Sequence, residues 1–223
     1  SSMQDASFYK HLKSDFGHQP TTKQDLALQM LSRFIFANHE DQLFLLKGYA
    51  GTGKTTIIST LVKNIRKSNQ RIILCAPTGR AAKVISNYSH QTAFTIHRKI
   101  YQPRKKSNGG VDFVPQENKH KNTIFVIDEA SMIPDFPKGN DLLTSQSVLD
   151  DLIEYVYSGE NCKLIFIGDT AQLPPVKADL SPALSQETLE RHFGMDVKAI
   201  ELNEVLRQQQ ESEILYNATE IRE

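Results

Sequence analysis

Hydrophobic positions follow two different spacings along the chain. Within residues 1–20 the apolar side chains fall close to a helical period, which predicts a short amphipathic helix. These side chains are Phe8, Tyr9, Leu12 and Phe16. Thr21 or Thr22 is a suitable N-cap for a second helix, whose apolar side follows directly. That side consists of Leu26, Leu28, Met30, Leu31, Phe34 and Ile35. The chain is therefore expected to begin with two helices.

Beyond these helices the pattern changes to short apolar runs, each ending at Gly, Pro or an acidic residue. The runs are Leu43–Leu46, Ile72–Ala76, Ile124–Ile127 and Leu164–Ile167. Continuous runs of this kind are typical of parallel strands that are buried on both faces. Helix-like stretches alternate with them, at Thr55–Arg66, Arg80–Tyr88 and Val148–Tyr157. The alternation predicts βαβ units and an α/β fold with an open parallel β-sheet flanked by helices.

One basic stretch interrupts this alternation. Asn108-Gly109-Gly110 is a strong turn signal between apolar residues at 100–101 and 111–114. It predicts a small inserted β-hairpin within about residues 98–121. The stretch carries seven Lys and Arg side chains against Asp112 and Glu117. This local excess matters because 26 basic and 26 acidic residues leave the whole chain with zero net charge. Any binding to nucleic acid must therefore come from a local patch.

The remaining composition is that of a globular protein, with 39% hydrophobic residues. Cys75 and Cys162 lie in or beside apolar runs and are predicted to be buried strand residues, in preference to redox or metal-binding ones. No apolar run approaches the ~20 residues of a membrane span, and no signal peptide opens the chain. The sequence is therefore interpreted as that of a soluble cytoplasmic protein that does not bind a membrane.

A glycine-rich stretch supplies the first candidate chemistry. GYAGTGKT, from Gly48 to Thr55, fits G-x-x-x-x-G-K-[ST] without a mismatch. Its glycines let backbone N–H groups turn inward around a phosphate, and the following helix adds its positive end. Lys54 is predicted to reach the β- and γ-phosphates, and Thr55 to place its hydroxyl on Mg²⁺. A plain strand–turn–helix connection is the alternative. The predicted nucleotide-binding residues are Gly48, Ala50, Gly51, Thr52, Gly53, Lys54, Thr55 and Thr56.

Two further strand ends carry polar candidates. Asp128 and Glu129 follow the third apolar run, and the carboxyl ends of strands face the ligand crevice in open α/β sheets. Asp128 can hold Mg²⁺ through water, and Glu129 can take the proton of the attacking water. A solvated acidic pair is the alternative. Gln172 follows the fourth run in LIFIGDTAQLPPV, where its amide could contact the γ-phosphate or lie in a proline-stiffened surface loop.

Seven motifs in a fixed order point to one family. They are TTKQDLAL, GYAGTGKTT, CAPTGRAAK, TIH, VIDEASM, GDTAQLPPV and LNEVLRQ. The chain resembles the first RecA-like motor domain of a superfamily 1 DNA helicase, in the RecD/Dda-like branch that moves 5′ to 3′. The motifs cover roughly residues 21–208, nearly the whole chain. The resemblance implies a P-loop NTPase with a RecA-like sheet over residues 21–223 and the basic hairpin as a small inserted subdomain.

For the nucleotide, the resemblance implies ATP and Mg²⁺ as ligands. Gln24 would read the adenine edge and give the preference for ATP. Arg207 would direct its planar guanidinium at the γ-phosphate. The implied catalytic group is Lys54, Glu129, Gln172 and Arg207, and the implied metal ligands are Thr55 and Asp128. From the residues alone, Gln24 would be unremarkable and Arg207 a solvated arginine.

For DNA, the segment Pro77-Thr78-Gly79 ends a predicted strand before a helix. Its N–H groups and the Thr78 hydroxyl can hold a strand phosphate. The resemblance implies contact with single-stranded DNA at this segment and at His97. It also places the hairpin where relatives split the duplex, so Arg104, Lys105 and Lys106 are predicted to lie along the DNA path. Tyr101 and Phe113 suit either base contact or packing within the hairpin.

Such helicases need a second RecA-like domain to close the ATP cleft, and no motifs for it occur here. We therefore expect a longer gene product, with that domain as a partner in the same polypeptide. This chain alone would be a monomer that binds nucleotide and single-stranded DNA or a single/double-strand junction but hydrolyses ATP weakly. The alternatives are a nucleotide-dependent DNA-binding clamp that unwinds nothing, and a P-loop kinase, whose arginine lid and acceptor pocket are missing. The stretch Pro134–Ser147 has no predicted role.

Overall fold

The structure is a computed structural model that describes residues 3–134, 146–170 and 181–204. Its helices are α1 Met3–Asp15, α2 Thr22–Phe36, α3 Lys54–Ile65, α4 Gly79–Ser89, α5 Ile96–Ile100, α6 Val148–Tyr157 and α7 Gln186–Arg191. Its strands are β1 Gln42–Gly48, β2 Arg71–Ala76, β3 Ala93–Thr95, β4 Tyr101–Lys105, β5 Val111–Pro115, β6 Lys121–Ile127, β7 Glu160–Asp169 and β8 Asp196–Leu202. Short 3-10 helices cover Ala130–Met132 and Pro182–Leu184.

Six strands form one sheet in the order β3-β2-β6-β7-β1-β8, and every neighbouring pair is parallel. The strands β4 and β5 form a separate antiparallel hairpin. This arrangement confirms the predicted α/β class, the open parallel sheet and the inserted hairpin. Because all six strands run the same way, their carboxyl ends meet at one edge of the sheet, where ligands bind in such folds.

The core has two layers, one on each face of the sheet. Helices α1 to α4 cover one face, and α5, α6 and α7 cover the other. The side chains of β1 alternate between the layers, with Phe44 and Leu46 in the first and Leu43 and Leu45 in the second. Burial on both faces explains why the central strands have continuous apolar sequences.

The two predicted amino-terminal helices are present, and both pack on this sheet. Phe8, Leu12 and Phe16 are buried in the first core layer. Thr21 caps α2 in a capping box, in which its hydroxyl accepts the backbone N–H of Gln24 and its own N–H donates to the Gln24 side chain. The box fixes where α2 begins and holds Gln24 at the first turn.

Both cysteines are free and buried in strands, Cys75 in β2 and Cys162 in β7, which confirms the prediction. Burial raises the pKa of Cys75 to about 12, so its thiol stays protonated at neutral pH. Within the three described ranges, no helix is long and apolar enough to cross a membrane.

The sequence did not predict the two edge strands of the sheet. The strand β3 has only three residues, all half-buried. In β8 buried residues are separated by exposed ones, with Val197 in one core layer and Ile200 and Leu202 in the other. Neither pattern has the continuous apolar run that identified the central strands.

Candidate functional site

The loop between β1 and α3 has the backbone that its glycines predict. Gly51 and Gly53 have φ angles of 80° and 95°, in the left-handed region where other side chains are strained. At Gly48 the restriction is space, because a Cβ would lie 2.7 Å from the Thr52 hydroxyl and 2.9 Å from the Leu202 carbonyl oxygen. The loop is therefore a tight turn that ends on the first turn of α3.

Buried contacts support this loop from below. The Thr52 side chain is fully buried, and its hydroxyl donates to the Tyr49 carbonyl oxygen at 2.6 Å. The Thr52 carbonyl accepts the Gln24 side-chain N–H at 2.9 Å. Since the Gln24 oxygen accepts from Thr21 N at 3.0 Å, both ends of its amide are bound within the protein. Gln24 thus fixes the loop to α2, and its contact with adenine stays a prediction.

Lys54 lies at the centre of the loop with an acceptor for each of its three N–H groups. Its Nζ is 2.7 Å from the Gly48 carbonyl oxygen, 2.8 Å from that of Tyr49 and 2.8 Å from Asp169 Oδ1. Asp169 is the last residue of β7 and pairs in register with Gly48. The Thr170 N–H also donates to the Gly48 carbonyl, which ties the end of β7 to the loop. An anionic ligand at Lys54 would therefore compete with Asp169.

The acidic pair lies at the end of β6. The backbone N–H of Asp128 donates to the Cys75 carbonyl of β2 at 3.0 Å. Its carboxylate accepts the Glu129 N–H at 2.8 Å and the Tyr88 hydroxyl at 2.9 Å. Burial raises the pKa of Asp128, and hydrogen bonds oppose that rise. Burial, followed by the charges of Asp128 and Asp169, also raises the pKa of Glu129.

The sheet order explains why these groups meet. The strands β6, β7 and β1 are neighbours, so Asp128, Asp169 and the glycine loop share one edge. A helix N-terminus and a lysine favour phosphate, while carboxylate and hydroxyl oxygens are the ligands that Mg²⁺ prefers. The donor set therefore fits a nucleoside triphosphate with Mg²⁺. Thr55 is exposed on the first turn of α3, which leaves its hydroxyl accessible to such a ligand.

The other predicted nucleotide residues lie on the same loop and on the helix that follows it. Ala50 is exposed at its tip, and Thr56 is half-buried on the first turn of α3. Gln172 and Arg207 lie outside the described residues, as does most of the stretch Pro134–Ser147. Their roles stay predictions.

The predicted DNA residues Pro77, Thr78 and Gly79 follow β2 at the same edge. Thr78 is the N-cap of α4, where its hydroxyl accepts the Ala81 N–H at 3.1 Å. The neighbouring strand β3 ends opposite, because Ala76 pairs with Thr95. His97 is exposed two residues later on α5. The structure thus brings the segment 77–79 and the start of α5 together, next to the β6 end that carries Asp128.

In the hairpin, exposure separates the candidate residues. Arg104 forms a two-pronged ion pair with Asp112, with Nη2–Oδ2 and Nε–Oδ1 distances of 2.9 and 3.3 Å. Lys105 and Lys106 are exposed. Phe113 is 63% exposed, but Tyr101 is buried and its hydroxyl donates to Asp151 at 2.6 Å. Of the two aromatic alternatives, Tyr101 is therefore a packing residue, and base contact by the exposed Phe113 stays a prediction.

The sequence assigned no role to Asp169 or Tyr88. Asp169 follows a buried strand, as Asp128 does, and that shared position could have identified it. Tyr88 carried no signal, because its bond to Asp128 joins a helix to a strand end 40 positions further along the chain. Both residues touch groups that were predicted to bind the nucleotide.

Fold and site together define a P-loop nucleotide-binding domain with a RecA-like sheet. A family model described as an AAA domain matches residues 31–223, and the chain belongs to this family. It is 29% identical over 178 residues to the ATP-dependent RecD2 DNA helicase of Deinococcus radiodurans, covering 79% of this chain and 21% of that protein. It is 31% identical over 137 residues to the ATP-dependent DNA helicase dda of Enterobacteria phage T4, covering 59% of this chain and 28% of that one.

A crystal structure of the Pif1 helicase from Candida albicans aligns with 87% of the chain and 42% of that protein, at 21% identity and a TM-score of 0.49. The similarity to RecD2 and Dda confirms the resemblance of the motifs to the RecD/Dda-like branch of superfamily 1. It spans between a fifth and a third of the length of these two relatives.

Proposed function

We propose that this chain is the first motor domain of an ATP-dependent DNA helicase. It binds Mg·ATP on the glycine loop and single-stranded DNA across the ends of β2 and β3. Together with a second RecA-like domain in the same polypeptide, it couples hydrolysis to 5′ to 3′ movement and unwinding. The observation that carries the proposal is Lys54, held at the centre of the loop beside the carboxylates of Asp128, Glu129 and Asp169.

The nucleotide site uses each of these groups differently. Backbone N–H groups of Ala50 to Gly53 surround the phosphates, and Lys54 exchanges its internal acceptors for the β- and γ-phosphates. Thr55 and Asp128 hold Mg²⁺, which neutralises phosphate charge when it is bound. Glu129 takes the proton of the attacking water, and its raised pKa brings it closer to the range in which a base works best. By resemblance, Gln172 and Arg207 complete the site at the γ-phosphate.

Two short connections support coupling between the nucleotide and DNA. Asp128 is bonded through its N–H to Cys75 in β2, one residue before that strand ends and three before Thr78. Its carboxylate is bonded to Tyr88 in α4, the helix that Thr78 caps. The Tyr88 carbonyl accepts the Ser59 hydroxyl of α3 at 3.1 Å. We expect a change at the metal ligand to reach the DNA segment through these hydrogen bonds.

The test separates binding from chemistry. In the polypeptide that also holds the second motor domain, Glu129→Gln should keep Mg·ATP affinity within about twofold, while single-turnover hydrolysis falls by 100-fold or more, because the substitution removes a base and not a metal ligand (about 10²–10⁴ for such a group). Glu154→Gln, at an exposed position of α6, is the matched control. Unchanged turnover in Glu129→Gln would show that another residue is the base.

Movement is tested in the polypeptide that also holds the second motor domain. There, oligothymidylate should stimulate hydrolysis, and duplexes with a 5′ single-stranded tail should be unwound in preference to those with a 3′ tail. Binding of both ligands without unwinding of either substrate would favour the nucleotide-dependent clamp.

A further inference from the structure

A second basic surface lies beside the hairpin, away from its tip. A cleft of about 520 Å³ opens between β3, α5, the segment after β5 and α6. Its lining includes Arg98, Lys99, Lys119 and His120, together with Phe94 and Gln116. Glu117 is the only acidic residue among the lining side chains that the structure describes. The protein thus concentrates cations here although its net charge is zero.

These cations are available to a ligand. Arg98 and Lys119 are exposed, and Lys99 is half-buried. Within residues 3–134, 146–170 and 181–204, none of the three has a carboxylate within 4.0 Å, whereas Arg104 in the hairpin is paired with Asp112. The positive field acts on His120 as well. Burial lowers the His120 pKa, and the charges of Lys99 and Arg71 lower it further.

The cleft is held in shape by the protein. The Lys99 ammonium lies 5.1 Å from the centre of the Phe94 ring, a distance at which the face of the ring attracts a cation. The Gln116 side chain donates to the Lys99 carbonyl at 2.7 Å and so joins the segment after the hairpin to α5. His120 is half-buried against the Phe125 ring, at a centroid distance of 5.7 Å. The cations are therefore arranged before a ligand arrives.

The cleft also continues the proposed DNA track. Arg98 and Lys99 directly follow His97 on α5, so the cleft begins beside the residue predicted to contact DNA, and it extends to Lys119 and His120 at the amino end of β6. A groove of several cations beside an aromatic ring is the kind of surface that follows a phosphate backbone without reading bases. An acidic protein segment would also complement the positive charge of the cleft, but such a ligand would not explain why the cleft lies next to His97.

We propose that this cleft is a second binding site for the phosphodiester backbone of single-stranded nucleic acid, extending the track beyond His97. The proposal rests on the proposed function, because it needs a strand to reach His97. The extended binding site covers more nucleotides than the ends of β2 and β3 can cover alone. A short oligonucleotide therefore occupies only the ends of β2 and β3, and a longer one occupies the cleft as well.

Fluorescence anisotropy with oligothymidylates of about 6 and about 18 nucleotides tests it, since site sizes of ~4–16 nucleotides are common for such grooves. The triple variant Arg98→Gln, Lys99→Gln, Lys119→Gln should lose about 10-fold in affinity for the long oligonucleotide and less than about 2-fold for the short one. Its salt dependence should fall by about 2 in log–log slope, because each lost phosphate contact contributes about 0.7. The charge-matched control is Lys10→Gln, Lys67→Gln, Lys198→Gln on distant surfaces.

The outcomes are distinct. If the triple variant keeps its affinity and salt slope for the long oligonucleotide and still binds the short one, the cleft is not a binding site. The proposed function then remains. Failure of the unmodified protein to bind either length would overturn both. Polyglutamate of matched charge is a second ligand for the triple variant. If the variant loses as much affinity for polyglutamate as for the long oligonucleotide, the cleft is a general anion surface and its assignment to nucleic acid is overturned.

A second readout does not depend on any variant. In the unmodified protein, the ring of His120 should titrate at higher pH when the long oligonucleotide is bound, because a phosphate offsets the charges of Lys99 and Arg71. The short oligonucleotide should leave it unmoved. An identical titration in both complexes would contradict the proposal.

Discussion

Lys54 and Lys163 are two largely buried lysines, and their surroundings differ in one respect. Lys54 lies at the carboxyl edge of the sheet with a side chain 11% exposed, and its ammonium contacts two loop carbonyls and Asp169. Lys163, in β7, is 3% exposed, and its ammonium donates to the carbonyls of Phe34, Ile35 and Ala37 at the end of α2. The Phe34 ring lies 5.4 Å from the same ammonium.

The difference is in the acceptors. Backbone carbonyls at a helix end are fixed by the helix, so Lys163 is a permanent cap for α2. Asp169 is a half-exposed carboxylate at a strand end, and a phosphate can replace it. The same side chain is thus structural where its partners cannot move and functional where one of them can. The following experiments test that distinction.

The largest effect is expected at Lys54. Lys54→Ala should weaken Mg·ATP binding about 100-fold, because it removes charged hydrogen bonds to two phosphates (about 1.5–3 kcal/mol each). Isothermal titration calorimetry measures it. The thermal midpoint should change little, and Lys63→Ala, at an exposed site on the same helix, is the control. Unchanged ATP affinity in a folded Lys54→Ala protein would end the phosphate assignment.

Lys163 should show the opposite pattern, with an effect on stability alone. Burial lowers its pKa from 10.5 to about 8. The unfolded chain therefore binds more protons between these values, and stability should rise with pH across that window. From about pH 7 to about pH 9.5 the gain is about 2 kcal/mol in the free energy of unfolding.

Urea unfolding of the unmodified protein and of Lys163→Met measures this gain. The variant has no titrating group at this position, so the difference in unfolding free energy between the two proteins should change by the same about 2 kcal/mol over the window. A difference that does not vary with pH would show that the ammonium is fully compensated by its carbonyl acceptors.

The smallest effect is expected at Asp169. Asp169→Asn keeps the size of the side chain but removes the charge that competes with phosphate. Affinity for ADP should rise about 5-fold, which corresponds to about 1 kcal/mol for a partly exposed ion pair. Asp196→Asn, in an exposed pair with Lys198, is the control. Weaker ADP binding in Asp169→Asn would show that Asp169 orients Lys54 instead of competing for it.

The sequence predicted those parts of the site that are local in the chain. The glycine loop, Lys54 and Thr55 lie within one turn, and Asp128 follows a strand that continuous apolar residues make recognisable. The contacts between Lys54 and Asp169 and between Tyr88 and Asp128 join distant segments, and only the order of the strands brings them together. Tyr101 illustrates the same limit, because its partner Asp151 lies in α6.

The bond between Tyr88 and Asp128 has a thermodynamic consequence. Thr78 and Tyr88 lie ten residues apart, at the two ends of α4, which is about 15 Å along a helix axis. If metal-bound nucleotide at Asp128 changes the affinity of the Thr78 segment for single-stranded DNA, then bound DNA must change the affinity of the protein for that nucleotide by the same factor. This reciprocity holds for equilibrium binding even without turnover. The coupling free energy between the two ligands can therefore be measured in this chain with ADP and oligothymidylate alone.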